Sequence, residues 1–371
     1  MKFFASFMQQ NTVQSGLGNF DVSKSLTFAT QLNGGFSSAS MLIQMPASQA
    51  SLLARQALGS FCTVYDSQGR YVYNGRVSRA DGAADGVRIT CSGIFEDGAK
   101  KTVPTALWLS PTTTNGEVIT DCVALVDSWR GGISLFQLNV PVGAQDYNDE
   151  TKVNTMIVDM LKVGYRVDDI SPAYLVIYND QTPEIIVERA PQFLDWYVLG
   201  ADHGGKIGSS VSLQDIYNKI YVLYDDTAED SVGPTMYPTA VNDYGSQFKY
   251  GVREGVLNVG EYGLSLGLDL QALAIQKYAQ PTSGVPISVS GYIMSNAGNY
   301  VPNYMVRAGD MVGIVENDES AALHALGETT RGFVTGTNFS ASNMTTKITL
   351  NNSDKRLDYL LARLGLSGGL G

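Results

Sequence analysis

The chain's whole supply of imidazole is His203 and His324. A Ser/His/Asp or Cys/His relay would have to recruit one of them, because its base must exchange a proton near neutral pH. Neither sits beside a recognisable nucleophile motif. His324 falls in Ser320-Ala321-Ala322-Leu323-His324-Ala325, read as a short helical loop. The most site-like string is Asp202-His203-Gly204-Gly205-Lys206, which could give one metal ligand or hold an anion through its glycine amides. A protein metal site needs about three or four side-chain ligands. No second His or Cys cluster supplies them, so the string reads as a tight connection. Paired carboxylates remain: Glu184 with Glu188, or Asp225-Asp226 with Glu229-Asp230, could serve glycoside hydrolysis if a pocket joined them. The simpler readings are an exposed strand face and a solvated acidic loop. Asn33-Gly34-Gly35-Phe36-Ser37-Ser38 lacks the Lys-Ser/Thr ending of a phosphate loop and reads as a turn. Cys62, Cys91 and Cys122 are odd in number and scattered, which fits buried thiols formed in a reducing cytoplasm. No residue is assigned a catalytic, cofactor-binding or metal role, no cofactor is implied, and the chain is not expected to be an enzyme.

The elements that would position any of these groups are mostly strands. The first twenty-odd residues are polar and punctuated by glycine, and read as an arm or loop. Strand patterns follow at Ser25–Leu32, Met41–Met45, Phe61–Tyr65, Tyr71–Val77 and Val87–Cys91. Asp66–Gly69 and Asp81–Gly86 are read as turns, and Ser48–Leu58 as a helix between Pro46 and Gly59. Val118, Cys122, Leu125, Val126 and Trp129 share one helical face, as do Val153, Met156, Ile157, Met160 and Leu161. Strands are expected at Tyr174–Tyr178 and Glu184–Val187, then a short helical segment with Phe193, Leu194, Tyr197 and Val198. Strand character returns from Val211 and at Ile220–Leu223, Phe248–Val252, Ile287–Ile293, Met311–Val315, Gly332–Thr337 and Thr346–Leu350. Leu266, Leu270, Leu273, Ala274 and Lys277 mark a helix, and Leu357, Leu360, Leu361 and Leu364 a last one, with Ser353 as cap and Gly365 as stop.

A chain of 371 residues exceeds the size at which one core usually stops growing, so several domains are expected. Hydrophobic residues make up 44%, enough for real cores, while charged residues are only 16% and tyrosines number 20. Such a surface fits either faces covered by neighbours or a β-rich domain with a polar, uncharged exterior. The net charge of -11 and the absence of a Lys/Arg cluster argue against tight nucleic-acid binding. Acidity would suit plain solubility or a wall that DNA passes without sticking. The start turns polar at Gln9-Gln10-Asn11, too soon for a secretion signal. No apolar run of about 18 residues exists, so no membrane anchor is expected.

A weak internal repeat links the two strand-rich regions. Gly59-Ser60-Phe61-Cys62-Thr63-Val64-Tyr65 in the first corresponds to Gly309-Asp310-Met311-Val312-Gly313-Ile314-Val315 in the second. Gly75-Arg76-Val77 corresponds to Gly332-Phe333-Val334, and Arg88-Ile89-Thr90 to Lys347-Ile348-Thr349. A trimer of such chains would form a pseudo-sixfold ring.

Tyr73-Asn74-Gly75-Arg76-Val77 with Asp85-Gly86-Val87-Arg88-Ile89-Thr90-Cys91-Ser92-Gly93 resembles the first barrel of minor tail and baseplate hub proteins of long-tailed phages. Val306-Arg307-Ala308-Gly309-Asp310-Met311-Val312, Leu213–Val222 and Arg356–Leu364 are similar to that family's approach to its second barrel, the strand entering it, and its C-terminal helix. No single motif is specific, and their joint order carries the resemblance. It implies an α+β, mainly β fold: two tail-tube-like β-barrel domains with an inserted α/β region. The expected bounds are residues 1–115 for the first barrel and its arm, 116–207 for the insertion, 208–352 for the second barrel, and 353–371 for the final helix and tail. It further implies a virion tail-tip protein assembled in the host cytoplasm, a homotrimeric hub ring around the DNA channel. Its partners would be distal tail, tape-measure, fibre or spike proteins, with DNA passing but not specifically bound. An acidic inner wall is expected. The ending soon after the last helix leaves no room for a hydrolase domain. The alternatives are a receptor- or carbohydrate-binding tail component, and a peptidoglycan hydrolase.

Overall fold

The computed structural model describes residues 1–8, 16–83, 85–104, 112–126, 129, 133–135, 138–139, 142, 151–162, 173–176, 185–189, 195–199, 206–207, 210–212, 216–225, 234–260, 264, 267–268, 271, 274–275, 279, 282–315 and 331–351. The expected C-terminal helix lies outside them. So do His203, His324 and Glu184.

The chain opens with strands where an arm was expected: β1 (Phe3–Met8) and β2 (Gly16–Asp21). Phe3, Ala5 and Phe7 alternate into the core, fully buried, and that period of two outweighs the polar residues that follow at Gln9-Gln10-Asn11. There follow β3 (Thr27–Gln31), β4 (Gly35–Gln44), helix α1 (Ala47–Ala57), β5 (Phe61–Asp66), β6 (Tyr71–Ala83) and β7 (Gly86–Ser92). β6 runs through Asp81-Gly82, the expected turn, because Asp81 pairs with Arg88 and Gly82 with Val87.

Beyond β7 a 3-10 turn, Ile94–Lys100, leads to α2 (Asn115–Ala124), β8 (Ile133–Leu135) and α3 (Val153–Lys162). Thr114 and Glu117 cap α2 reciprocally: the Glu117 N–H donates to Thr114 Oγ1 at 3.3 Å, and the Thr114 N–H donates to Glu117 Oε2 at 2.8 Å. The apolar faces predicted for both helices meet in one core with Trp129, whose indole N–H donates to the Ile94 carbonyl at 3.0 Å. β9 (Ala173–Val176) and β10 (Ile185–Arg189) complete a three-stranded sheet with β8.

β11 (Trp196–Leu199) replaces the helical segment expected around Tyr197 and Val198. Pairing in parallel with a late strand wins over the local helical spacing, as tertiary context often does. Then come β12 (Lys206–Ile207), β13 (Ser210–Ser212), β14 (Lys219–Asp225), β15 (Pro234–Met236), β16 (Val241–Asn242), α4 (Tyr244–Tyr250) and β17 (Glu254–Gly260). α4 stands where Phe248–Val252 was expected to be a strand. Asp243 caps it through the Ser246 N–H at 2.9 Å, and Gly251, at φ 78°, ends it. β14 to β17 form a separate four-stranded sheet, covered by helical positions that include Ala274 and Ile275, on the helix expected there. The last strands are β18 (Thr282–Ser290), β19 (Tyr292–Ser295), β20 (Tyr300–Pro302), β21 (Met311–Val315), β22 (Arg331–Ser340) and β23 (Thr345–Asn351).

The two strand-rich regions share one 16-stranded sheet. Two closed barrels were expected, but among the described residues the strand order stays open, with β2 and β20 at its ends. Within it a four-strand run occurs twice in tandem. β6-β7-β4-β3 is followed by β22-β23-β18 and then β12 with β13, and β3 pairs with β22 at the join. The registers coincide residue by residue. Ser38↔Ser92 through Gln44↔Gly86 in the first run matches Gly284↔Asn351 through Ser290↔Thr345 in the second. A β-bulge lies between Val77 and Arg79 in one and between Val334 and Gly336 in the other. Bulges fix register and twist, so a matched pair is a strong mark of repetition. Gly59 and Gly309 both adopt positive φ, 78° and 104°, and donate to the Val77 and Val334 carbonyls at 3.0 and 2.9 Å. The runs are not identical throughout: β1 pairs antiparallel to β5, whereas β11 pairs parallel to β21.

Candidate functional site

Strand alternation gives the tandem sheet a buried face and an open one. Val87, Ile89 and Cys91 point into the core from β7, and Thr346, Ile348 and Leu350 from β23. The open face carries Ser38, Ser40, Gln44, Arg88 and Thr90 from the first run, and Asn338, Lys347, Thr349 and Ser290 from the second. β7, β4, β3, β22, β23 and β18 contain no Asp or Glu, and their charged residues are Arg88, Arg331 and Lys347; β6 adds Arg76, Arg79 and Asp81. Arg88 and Lys347 hold equivalent positions. In a chain of net charge -11 this surface is a hydroxyl- and amide-rich band with few charges. The acidic wall expected from the net charge is not what this face offers: its one carboxylate on these strands is Asp81 of β6, opposite Arg88.

The join between the runs is built in both apolar and polar terms. Phe339 of β22 packs into the first core, with ring centroids 5.2 Å from Phe28, 5.6 Å from Phe3 and 5.4 Å from Tyr304. The Tyr304 hydroxyl donates to Asp66 Oδ2 at 2.7 Å, and Arg70 Nε donates to the same oxygen at 2.7 Å. Asp66 Oδ1 accepts the N–H groups of Gln68 at 2.7 Å and Arg70 at 3.0 Å. Burial alone would raise this carboxyl's pKa, but the bonds from Tyr304, Arg70 and Gln68 outweigh it and hold it below the ordinary range. Thr30 Oγ1 lies 2.6 Å from Thr337 Oγ1 and accepts the Ala308 N–H at 2.9 Å. The Arg307 guanidinium sits 5.1 Å from the Phe36 ring centre, and its Nη2 donates to the Tyr71 carbonyl.

Two further buried carboxylates have structural partners. Asp97 receives Arg76 Nη2 at 3.0 Å and Lys100 Nζ at 2.8 Å, tying the sheet to the 3-10 turn. Asp310 Oδ2 accepts the Trp196 indole N–H at 2.7 Å and the Arg307 N–H at 2.8 Å, while Asp195 Oδ2 accepts the Met311 N–H at 2.8 Å. Together they stitch β11 to β21. Burial raises Asp310 to about 6, against hydrogen bonds that lower it, with nearby Asp195 adding to the rise. The sign follows: with rising pH the unfolded chain ionises first, near pH 4, so stability falls between about 4 and 6. Asp310→Asn keeps an oxygen for both donors and removes the charge. Its stability relative to the parent is expected to improve across that interval, by about 1–3 kcal/mol at pH 8. Urea unfolding at pH 4.5 and pH 8 checks it; an equal difference at both rejects the assignment.

Most of the sequence candidates, Asp226, Glu229 and Asp230 among them, lie outside the described residues. Of the Asp202–Lys206 string only Lys206, in β12, is described; Glu188 lies in β10 and Asp225 closes β14, in different sheets. Asn33 and Gly35, with φ of 57° and 66°, form the β3–β4 turn. Among the described residues no group of three or more His, Cys, Asp or Glu could hold a metal ion, and no helix is long and apolar enough to cross a membrane. Cys62, Cys91 and Cys122 are buried free thiols, and burial pushes Cys122 up to about 12. What the sequence missed is the join itself: Thr30 and Thr337 are 307 positions apart and carry no motif.

No family profile matches the sequence, and no curated protein matches it. Solved structures do. The tail protein from Neisseria meningitidis MC58 is similar with a TM-score of 0.65 and 13% identity, covering 96% of this chain and 98% of its own. The 43 kDa tail protein of prophage MuSo2 from Shewanella oneidensis gives 0.62 and 12%, covering 94% and 98%. An E. coli type VI secretion component, c3393, itself described as structurally similar to the T4 phage tail proteins gp27 and gp5, gives 0.52 and 8%, covering 94% and 75%. The chain has the fold of phage tail and baseplate-hub-like proteins, as the sequence resemblance implies.

Proposed function

We propose that this chain is a structural component of a phage tail tip, a hub whose copies close into a ring around the path of the DNA. One observation carries the reading: a four-strand run repeated in tandem within one sheet, register and bulge included. A chain that carries the same run twice supplies two units of a ring, and three copies would supply six. The open face of that sheet would line the passage. Tight phosphate binding needs clustered Lys and Arg. Arg88, opposite Asp81, and Lys347, opposite Asn338, form no such cluster and would meet a polyanion without holding it. Distal tail, tape-measure, fibre or spike proteins would be the partners above and below, in a virion assembled in the host cytoplasm. The chain's part is assembly, with no bond made or broken.

A second reading, a receptor- or carbohydrate-binding tail component, has an observation in its favour. α4 exposes Phe248 at 96% and Tyr244 at 75%, and aromatic faces of this kind serve sugar or protein recognition. Mass measurement in solution separates the two. A trimer that fails to retain duplex DNA at physiological salt is the expected result. A monomer that binds glycans, and loses that binding on Phe248→Ala, overturns the hub in favour of the receptor binder.

A further inference from the structure

Each tandem run has two edges, and the join uses one of each kind. The first run presents β3, which takes up Gly336–Ser340 of β22 in the second, with Gln31↔Gly336 through Thr27↔Ser340 as partners. That stretch of β22 is free to accept β3 because β21 covers only Arg331–Phe333 on that side. The same offset that superposes the bulges makes Arg79–Ala83 of β6 the counterpart of Gly336–Ser340. β5 reaches β6 only as far as Arg76, so Arg79–Ala83 has a ladder to β7 and, among the described residues, none on its other side. Arg79 and Asp81 are exposed there, with side chains 73% and 48% accessible. At the opposite end, β12 and β13 are the counterpart of β3. Ser210 pairs with Gly284 as Ala29 pairs with Ser38, and among the described residues they pair with no strand but β18.

Among the described residues the two runs therefore leave one unfilled edge of each kind, and they complement each other as the filled ones do. We infer that Arg79–Ala83 of one copy takes up the β13 edge of a second copy, antiparallel, repeating between chains the β3–β22 pairing made within each chain. The inference rests on the ring reading and deepens it by naming the contact. The edge partners differ, so the contact is head to tail, and such contacts propagate until rotation closes them. Unpaired strand edges left in solution also invite uncontrolled pairing, which closure removes. In register, Asp81 falls opposite Ser210 of the neighbour, as Asn338 falls opposite Ala29 within the chain.

The test is cross-linking of the full chain with a short bis-maleimide. Directly opposed cross-strand positions have Cβ atoms about 5 Å apart, within easy reach of the reagent. Ala29→Cys/Asn338→Cys is the internal control and should cross-link without gain in mass. Asp81→Cys/Ser210→Cys should give species of twice and three times the chain mass on a denaturing gel. Each single variant should give at most an unextended background, since Cys62, Cys91 and Cys122 are buried. A chain that sediments as an oligomer, with the control reacting but no ladder from the Asp81/Ser210 pair, overturns the edge assignment and leaves the ring standing. A chain that stays monomeric at every concentration, with no ladder, overturns both.

Discussion

Phe339→Ala is expected to cost about 3–5 kcal/mol, the range for removing a fully buried aromatic ring. Phe339 is contributed by β22 but packs within the first core, in contact with Phe3, Phe28 and Tyr304. Its loss leaves a void at the seam between the two runs, where β3 and β22 are held by their ladder and cannot move together freely to fill it. Guanidinium unfolding followed by tryptophan fluorescence checks this. Trp129 reports on the middle core and Trp196 on β11, so both signals should shift to lower denaturant together. A loss below about 1 kcal/mol, or a shift in one probe alone, would mean that the seam does not couple the halves.

The second large effect belongs to Asp66. Its two oxygens together accept four donors: the Tyr304 hydroxyl, the Arg70 guanidinium, and the main-chain N–H groups of Gln68 and Arg70. Asp66→Asn cannot satisfy this arrangement, because either orientation aims its amide NH2 at donors. The side chain of Asp66 is fully buried, while Arg70 keeps 33% of its side-chain surface and can recover some hydration. The expected loss is on the order of 3 kcal/mol at pH 7. The pH dependence gives a sharper check. A carboxyl held below its unfolded value contributes stability that is complete above about pH 4 and is lost as pH falls through the folded value. Parent and variant should therefore differ most at neutral pH and draw together in acid. A difference that grows on acidification contradicts the assignment.

Much of the strand inventory was legible, because buried alternation and Gly-rich turns are local signals. The correspondence of Arg88-Ile89-Thr90 with Lys347-Ile348-Thr349 was legible too, and the structure gives it meaning: Ile89 and Ile348 pair with Met41 and Ile287 at matching rungs. The failures share a cause. Phe3–Met8 looked like an arm because its flanks are polar, yet Phe3, Ala5 and Phe7 pair through long-range contacts with β5. Asp81-Gly82 carries the composition of a turn but lies within a strand whose partner, β7, sets its conformation. Phe248 looked like a strand residue because it is aromatic, while Asp243 and Gly251 frame it as a short helix. The candidate surface was hidden for another reason. Net charge is a sum over the chain, and a face poor in carboxylates appears only when its strands are placed side by side.

The bond between β3 and β22 lies within one polypeptide, and this sets a rule of parity. Any circle assembled from such chains holds an even number of units, so five- or seven-membered errors are forbidden by covalent connection. In such a circle half of all contacts would already be made when a copy arrived, which would halve the encounters that closure requires. A missing copy would leave a gap two units wide, too broad for the neighbouring edges to bridge by flexing. Incomplete assemblies would then fall apart rather than persist with a defect.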